Sequence, residues 1–144
     1  DQWERAYGAR GFFQLQSFLP ASVARQGFAD QIERLQRAGQ APFLSVMKRH
    51  RADRFPLSPN LDGFSLALDF PFAPGLRELL VAEQERVIEA GGRFYFAKDM
   101  TLTPSQVVKM LGGETLRGLR KWKATLDPDG LLMTDLGARL NLGG

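Results

Sequence analysis

The segment that most constrains the fold is a seven-residue stretch, residues 64–70, in which large apolar side chains alternate with smaller or polar ones. Because successive side chains of a strand point to opposite faces, a period of two predicts a strand with one face in the core. Such strands are typical of antiparallel sheets that are covered on one face. The predicted core face consists of Phe64, Leu66, Leu68 and Phe70, and the opposite face of Ser65, Ala67 and Asp69.

The neighbouring segments complete an alternating order of strands and helices. Apolar residues recur at helical spacing in residues 21–38 and 75–90, and glycine follows each segment, as at a helix end. Strands are predicted at residues 11–20, 43–50 and 93–97. The order β-α-β-β-α-β predicts an α+β fold of the ferredoxin-like type, a four-stranded antiparallel sheet with both helices on one face.

The C-terminal part of the chain has a helical pattern instead. In residues 103–144 the predicted helices break at Gly112-Gly113 and at the turn Asp127-Pro128-Asp129-Gly130. We therefore expect a ferredoxin-like domain over residues 1–102, and a helical extension of that same domain over residues 103–144.

Composition supports a folded core and excludes several classes of site. Of the 144 residues, 44% are hydrophobic and eleven are phenylalanines, which suits an apolar interior. The 19 basic residues barely exceed the 16 acidic ones and are scattered, which favours a solvated surface over a nucleic-acid-binding patch. The absence of cysteine excludes disulfides and thiolate metal sites, and the single histidine, His50, excludes multi-histidine metal sites.

Hydropathy and the first residues of the chain lead to an expectation about its origin. No apolar run reaches the roughly 18 residues of a membrane-spanning helix, and no signal peptide is evident. The chain begins with Asp1 instead of methionine, which favours a fragment of a longer protein. We expect a cytoplasmic location.

The face of the sheet away from the helices is the candidate binding surface. In this fold the first and third strands are central, and alternation turns polar and small side chains of both away from the helices. The pattern of the second strand does not decide which face carries Lys48 and His50. A solvated face and a face covered by a ligand or another domain explain the pattern equally well. The central residues of this face are predicted to be Gln14, Gln16, Ser65 and Ala67.

Five sequence motifs occur in the order and at the spacing found in one known family. They are Phe12-Phe13-Gln14-Leu15-Gln16 leading to Pro20, Ser45-Val46-Met47-Lys48, Gly63-Phe64-Ser65 leading to Asp69-Phe70-Pro71, Gly91-Gly92-Arg93-Phe94-Tyr95-Phe96-Ala97-Lys98-Asp99, and Leu126-Asp127-Pro128-Asp129-Gly130 with Asp135-Leu136. The chain resembles the vanillyl-alcohol-oxidase-type flavoproteins, and among them the FAD-linked sugar and sugar-lactone oxidases. The likeness covers nearly the whole chain, and the ordered set is more specific than any single motif.

The resemblance implies an enzyme of two domains. An N-terminal domain, absent from this chain, would hold FAD, and the C-terminal domain would cover the isoalloxazine ring and form the substrate pocket. The implied activity is oxidation of a hydroxyl of a sugar or sugar derivative by hydride transfer to the flavin. Because this chain has no glycine-rich phosphate-binding loop, we expect it to be inactive without that domain. The implied partners are the FAD domain and a carbohydrate substrate, and a partner reductase stays open.

The resemblance also points to site residues. Lys98 matches a lysine near the flavin, where a fixed cation would stabilise the negative charge of the reduced ring, so it is predicted to be catalytic and cofactor-binding. Since Lys98 has the strand parity of Phe94 and Phe96, it reaches the flavin only if the strand ends or bulges near Ala97. The resemblance implies no metal. The predicted substrate-binding residues are Gln14, Gln16, Lys48, His50 and Ser65.

This chain departs from the family pattern at three pocket positions. Ser65 stands in place of an asparagine, Ala67 in place of a cysteine of mycobacterial members, and His50 in place of a phenylalanine. The histidine predicts a more polar pocket. The departures favour a related carbohydrate alcohol or aldonolactone over a lipid-linked sugar phosphate as the substrate.

Two other functions use the same order of elements. A ferredoxin-like regulatory domain would bind a small metabolite or dimerise through its open sheet face. An RNA-recognition module would need stacking aromatics on the central strands, whereas Ser65, Ala67 and Asp69 offer none. Peripheral contact with the inner membrane also stays open. The residues that would form an apolar entry, unless they pack in the core, are Phe18, Leu19, Phe70, Pro71 and Phe72.

Overall fold

The computed structural model describes residues 4–143, which form a four-stranded sheet with helices around it. The predicted α+β class, with its β-α-β-β-α-β order, is confirmed, and the three long strands and first two long helices match their predicted boundaries within one residue. The elements are α1 (Glu4–Tyr7), β1 (Phe12–Pro20), α2 (Ala21–Arg37), β2 (Leu44–His50), β3 (Gly63–Pro71), α3 (Leu76–Glu89), β4 (Arg93–Phe94), a 3-10 turn (Phe96–Lys98), α4 (Pro104–Leu111), α5 (Gly113–Leu126) and α6 (Asp135–Arg139).

The strands lie in the order β2-β3-β1-β4, and every neighbouring pair is antiparallel. The two central strands pair along their whole length, from Phe12 opposite Pro71 to Pro20 opposite Gly63. At this last pair a β-carbon on Gly63 would lie 2.0 Å from the carbonyl oxygen of Leu19, so that only glycine permits the approach. This close pairing brings the side chains of β1 and β3 together at the middle of the sheet.

The face of the sheet towards α2 and α3 carries the apolar core. The alternating set on β3 packs there as predicted, with Leu66, Leu68 and Phe70 each at most 4% exposed. Phe28 and Leu35, seven residues apart on α2, lie in the same cluster. The apolar face of β3 and the apolar face of α2, each predicted from its period, therefore pack together in one core.

A buried carboxylate lies among these apolar residues between the two helices. Glu83 of α3 is fully buried, and Arg34 of α2 donates one hydrogen bond of 2.8 Å to each of its oxygens. Arg86 adds a third hydrogen bond at 3.1 Å. The hydrogen bonds to Glu83 raise the pKa of Arg34 above its ordinary value. Loss of Glu83 would leave Arg34 without its carboxylate partner, and loss of Arg34 would leave Glu83 with Arg86 alone, so the pair ties α2 to α3.

The residues considered for a membrane entry do not form one surface. Leu19 and Phe70 pack in the apolar core, and Phe18 is buried against His50 on the opposite face of the sheet. Of the five, Pro71 and Phe72 are exposed. Within residues 4–143, no helix combines the length and the hydropathy of a membrane span.

The fourth strand is shorter than predicted, and this part of the prediction was wrong. The strand comprises Arg93–Phe94 instead of residues 93–97, and the 3-10 turn follows it. In that turn the backbone N–H of Lys98 donates to the carbonyl oxygen of Tyr95 at 2.9 Å. The alternating phenylalanines of the segment suggested a longer strand, but the turn's own hydrogen bonds replace pairing with β1. The condition set for Lys98, that the strand ends or bulges near Ala97, is met, because β4 ends at Phe94.

The C-terminal helices pack on the same core and also reach the other face of the sheet. α4 begins at a capping box formed by Thr103 and Gln106. Leu116 of α5 and Leu140, which follows α6, belong to the apolar cluster of the sheet and helices. Trp122, also on α5, lies instead on the cleft described below. The breaks between these helices fall at the two predicted turns.

Candidate functional site

A cleft of about 720 Å³ opens on the face of the sheet opposite α2 and α3. Side chains of β1 and β2 form its floor, the loop between β2 and β3 forms one wall, and α5 with the residues after β4 forms the other. The floor is polar and the walls are largely apolar. The lining residues include Gln16, Lys48 and His50 on the floor, Phe55 and Leu57 on the loop, and Tyr95, Lys98 and Trp122 on the other wall.

The register of the sheet assembles this floor. Lys48 of β2 lies opposite Ser65 of β3, and His50 lies two residues further along β2. Alternation therefore turns Lys48 and His50 to the same face as Ser65. Gln16 of β1 reaches Ser65 from the other side. The side of β2 that the sequence pattern left undecided is thus the cleft side.

Three of the predicted substrate-binding residues form a continuous hydrogen-bonded chain. Gln16 Nε2 donates to Ser65 Oγ at 3.1 Å, and Ser65 Oγ lies 2.8 Å from His50 Nε2. Ser65 is fully buried and Gln16 is 6% exposed. The centre of this face is therefore shielded from solvent, unlike the solvated sheet that the sequence also allowed.

The environment of His50 favours the neutral imidazole. Burial lowers its pKa below the ordinary value, and the nearby cations Lys48 and Arg49 lower it further. The neighbouring Asn60 side chain opposes this shift in pKa without reversing it. The ring also packs against Phe18, with 4.8 Å between the ring centroids. At neutral pH one ring nitrogen of His50 is therefore an acceptor.

The loop that forms one wall is held by an internal carboxylate. Asp53 accepts hydrogen bonds of 2.7–3.0 Å from the backbone N–H of Phe55, the hydroxyl of Ser58 and the amide of Asn60. These bonds, that of Ser58 first, lower the pKa of Asp53. Arg93 of β4 donates to the carbonyl oxygen of Ser58 at 3.1 Å and so fastens the loop to the sheet. The wall is thus an ordered structure that can shape a ligand site.

Lys98 lines the cleft from the 3-10 turn, and Lys48 lines it from β2. Among the side chains that the structure describes, neither lysine forms an ion pair. An ammonium group without a carboxylate partner keeps its three donors for a ligand. The cleft can therefore bind an anionic group or several hydroxyl and carbonyl oxygens.

Gln14 lies apart from this site. Its Nε2 donates to Oδ1 of Asp69 at 2.6 Å, towards the other end of the central strands. The structure therefore brings five of the six predicted site residues together and leaves Gln14 outside. The roles of all six in binding and catalysis stay predictions. The five residues that meet at the cleft are Gln16, Lys48, His50, Ser65 and Lys98.

Comparison with known proteins gives the chain a relative. No protein-family profile matches it. Its sequence is 34% identical over 145 residues to decaprenylphosphoryl-β-D-ribose oxidase of Mycolicibacterium smegmatis, and the alignment covers 98% of this chain and 30% of that oxidase. The chain is related to this oxidase. The resemblance indicated by the motifs is thereby confirmed, and the similarity is consistent with the C-terminal domain of an FAD-linked oxidase.

A second relative matches a smaller part of the chain. It is an uncharacterised protein of the mprA 5′ region of Streptomyces coelicolor, 36% identical over 81 residues. That alignment covers 56% of this chain and 22% of the relative. Each alignment thus covers less than one third of the length of the relative.

The aromatic walls of the cleft were missed by the sequence analysis. Phe55 and Trp122 are 76% and 56% exposed, and Tyr95 is 42% exposed. A signal for one wall exists, because Leu119 and Trp122 recur three residues apart on α5 and both line the cleft. Nothing in the spacing of Phe55 indicates that its loop folds back over β2.

The structure bears on two other kinds of site. The described side chains include no group of three or more histidine, cysteine, aspartate or glutamate residues that could hold a metal ion. Phe18, the aromatic residue at the centre of the cleft face, is 3% exposed and therefore cannot stack on a nucleic-acid base. This burial does not favour an RNA-binding module.

Proposed function

We propose that this chain is the substrate-side domain of an FAD-dependent oxidoreductase that oxidises a hydroxyl group of a sugar or sugar derivative. One observation carries the proposal: the cleft has a polar floor and two lysines that form no ion pair with the described side chains. It occurs in a chain that aligns over 98% of its length with an oxidase acting on a ribose derivative, as that oxidase's name states. FAD would be held mainly by a further domain of the same polypeptide. The flavin, when bound, accepts the hydride from the substrate.

The fit of the flavin rests on the residues after β4. Lys98 and Tyr95 line the rim of the cleft, where a cation and an exposed aromatic ring suit the edge of an isoalloxazine ring. In this role Lys98 would stabilise negative charge on the reduced ring. The first strand-to-helix junction, at Pro20 and Ala21, lacks the glycines of a phosphate-binding turn. The pyrophosphate of FAD therefore needs another part of the protein.

The floor and walls of the cleft suit a carbohydrate. Gln16 and Lys48 would bind ring hydroxyls, because a carboxamide and an ammonium supply both donors and acceptors. Phe55 and Trp122 would pack against the apolar faces of a sugar ring. The polar floor would orient the substrate, and the aromatic walls would reduce the access of water to the reacting carbon.

The test compares the gene product that contains this chain together with its upstream sequence and the 144-residue chain alone. We expect a flavin absorption spectrum in the longer protein, bleached anaerobically by a member of a panel of pentoses, hexoses and aldonolactones. We expect no flavin in the short chain. A longer protein that purifies without flavin would contradict the proposal.

A substitution of Lys98 then tests its predicted role at the flavin. Lys98→Met should slow the anaerobic bleaching of the flavin by about 10²-fold, the usual effect of removing one charge-stabilising donor. Lys109→Met is the matched control, because Lys109 pairs with Glu85 on the exposed side of α4 and α3. Equal bleaching rates in the two variants would remove Lys98 from the mechanism while leaving the oxidoreductase proposal standing.

A ferredoxin-like regulatory or dimerisation domain is the second candidate. It is favoured by β2, an edge strand on which Leu44, Val46 and Met47 are all exposed. An unpaired, apolar edge of this kind can accept another strand. Sedimentation of the 144-residue chain decides this point: a stable dimer without flavin supports regulation or dimerisation, and a monomer supports the enzyme domain.

A further inference from the structure

The hydrogen bonds that link Gln16, Ser65 and His50 can run in one direction, from donor to acceptor, because Ser65 carries one hydroxyl proton. Ser65 Oγ accepts a hydrogen bond from Gln16 Nε2, so its own proton is free to point at His50 Nε2, 2.8 Å away. In this arrangement that nitrogen is the unprotonated acceptor and the ring proton lies on Nδ1. The described geometry is therefore consistent with one tautomer of the neutral imidazole.

The surroundings of His50 hold it in that state. Of the cations on β2, Lys48 shares the face of His50, and Arg49 lies over Phe64 on the opposite face of the sheet. Lys98 lines the same cleft from the turn after β4. β3 contributes the uncharged Ser65, β1 contributes Phe18, and the loop contributes Asn60. Burial and the two cations of β2 lower the pKa of the imidazole.

The direction of the chain determines which end of the Gln16 amide is left for a ligand. Since Nε2 points at Ser65, the carbonyl oxygen is the end available to the cleft. A protonated imidazole would instead donate from Nε2 to Ser65, whose hydroxyl could then donate to Gln16 and turn the amide round. Protonation of His50 can in this way exchange an acceptor for a donor at the floor of the cleft.

We propose that His50 is a positioning residue which, through Ser65, orients the Gln16 carboxamide so that its carbonyl oxygen accepts a hydrogen bond from a ligand hydroxyl. The proposal rests on the proposed function only for the identity of that ligand as a carbohydrate alcohol. The orientation itself belongs to this chain and needs no flavin. His50 acts through Ser65 and is not assigned contact with the reacting atoms.

The experiment uses the fact that His50 is the single histidine of the chain. Nitrogen-15 NMR of the labelled 144-residue protein should show the Nδ1–H tautomer at neutral pH, with Nε2 unprotonated. On acidification, the side-chain NH₂ signals of Gln16 should shift with the same midpoint as the imidazole. Gln14 is the internal control: its amide donates to Asp69, so its signals should show no step at that midpoint.

Two variants distinguish coupling between His50 and Gln16 from a general effect of pH on the Gln16 signals. His50→Gln removes the titrating group at a partly exposed position, and the step in the Gln16 signals should vanish. Ser65→Ala keeps the imidazole, which should still titrate while the Gln16 signals stay constant. An Nε2–H tautomer, or a Gln16 step that persists in either variant, would overturn the proposal. None of these measurements involves flavin. A result that overturns the role of His50 is therefore distinct from one that overturns the oxidoreductase function.

Discussion

Two consecutive residues of β1, Gln16 and Ser17, are both buried and both hydrogen-bonded, but on opposite faces of the sheet. Ser17 donates to Oε1 of Gln31 on α2 at 2.9 Å, inside the apolar core. Gln16 donates to Ser65 on the cleft side. On the helix face polar groups bind one another within the protein, as Arg34 and Arg86 bind Glu83. On the cleft face they form a chain that ends beside open space.

The comparison shows that polar groups on the two faces of one sheet have different roles, stability on the helix face and binding on the cleft face. In the core no water can replace a lost partner, so each polar pair contributes to the free energy of unfolding. Beside the cleft, water can take the place of a missing group at much lower cost. The same accessibility lets a ligand compete for those groups. We therefore expect core variants to lose stability and cleft variants to lose binding.

The largest expected difference comes from aromatic residues of the two faces. Phe70→Ala removes a fully buried ring from the core and should lower the free energy of unfolding by about 3–5 kcal/mol. Trp122→Ala, on the cleft wall and 56% exposed, should cost less than about 1 kcal/mol. Urea denaturation followed by circular dichroism measures both. Equal losses would mean that the cleft wall belongs to the core.

The buried ion pair provides the next largest effect. Arg34→Met should destabilise the protein by about 2 kcal/mol, below the 3–5 kcal/mol typical of a broken buried pair, because Arg86 still contacts Glu83. Arg37→Met is the control, since its pair with Glu33 is exposed on both sides and should contribute almost nothing. A null result for Arg34→Met would show that Glu83 is reached by water.

Ser17 and Ser65 allow the two faces to be compared at equal burial, because both serines are fully buried. Ser17→Ala should cost about 1–3 kcal/mol, because Gln31 Nε2 already has no partner within the described part of the chain. Ser65→Ala should cost about 1 kcal/mol or less, since Gln16 and His50 can turn to water in the cleft. Thermal unfolding of both variants tests the order. The reverse order would contradict the proposed difference between the faces.

The smallest effect is the pH dependence from His50. Its folded-state pKa lies below that of the unfolded chain, so the unfolded state binds more protons in between. Stability from this residue is present above the ordinary histidine pKa and is lost as the pH falls through the lowered value. On acidification the melting temperature should therefore fall slightly more in the wild type than in His50→Gln. Identical pH profiles would show that the imidazole is solvated.

Most of the fold follows from sequence pattern, whereas the short elements do not. The alternation from Phe64 to Phe70 predicts both a strand and its buried face, because one apolar face must meet the helices. The same signal was misleading at β4, where a turn stabilised by its own backbone hydrogen bonds ends the strand early. Local patterns of two or three residues carry too little information to exclude such a turn.

The candidate site was predictable in its floor and not in its walls. Gln16 and Ser65 face the cleft by strand parity, and the central position of β1 and β3 makes them neighbours. Lys98 was indicated by the family resemblance. Phe55 and Trp122 come together with that floor through a loop and a helix that are distant in sequence. Their approach depends on packing that no local period encodes.

The sequence by itself determined the order of the elements, the apolar face of β3 and the relationship to an oxidase. Tertiary structure decided the side of β2 that carries Lys48 and His50, the enclosure of Gln16 and Ser65, and the separation of Gln14 from the cleft. The physical reason is the distance along the chain over which each effect acts. Periodicity and turn chemistry act over a few residues, whereas a cleft forms where strands, a loop and a helix far apart in the chain pack together.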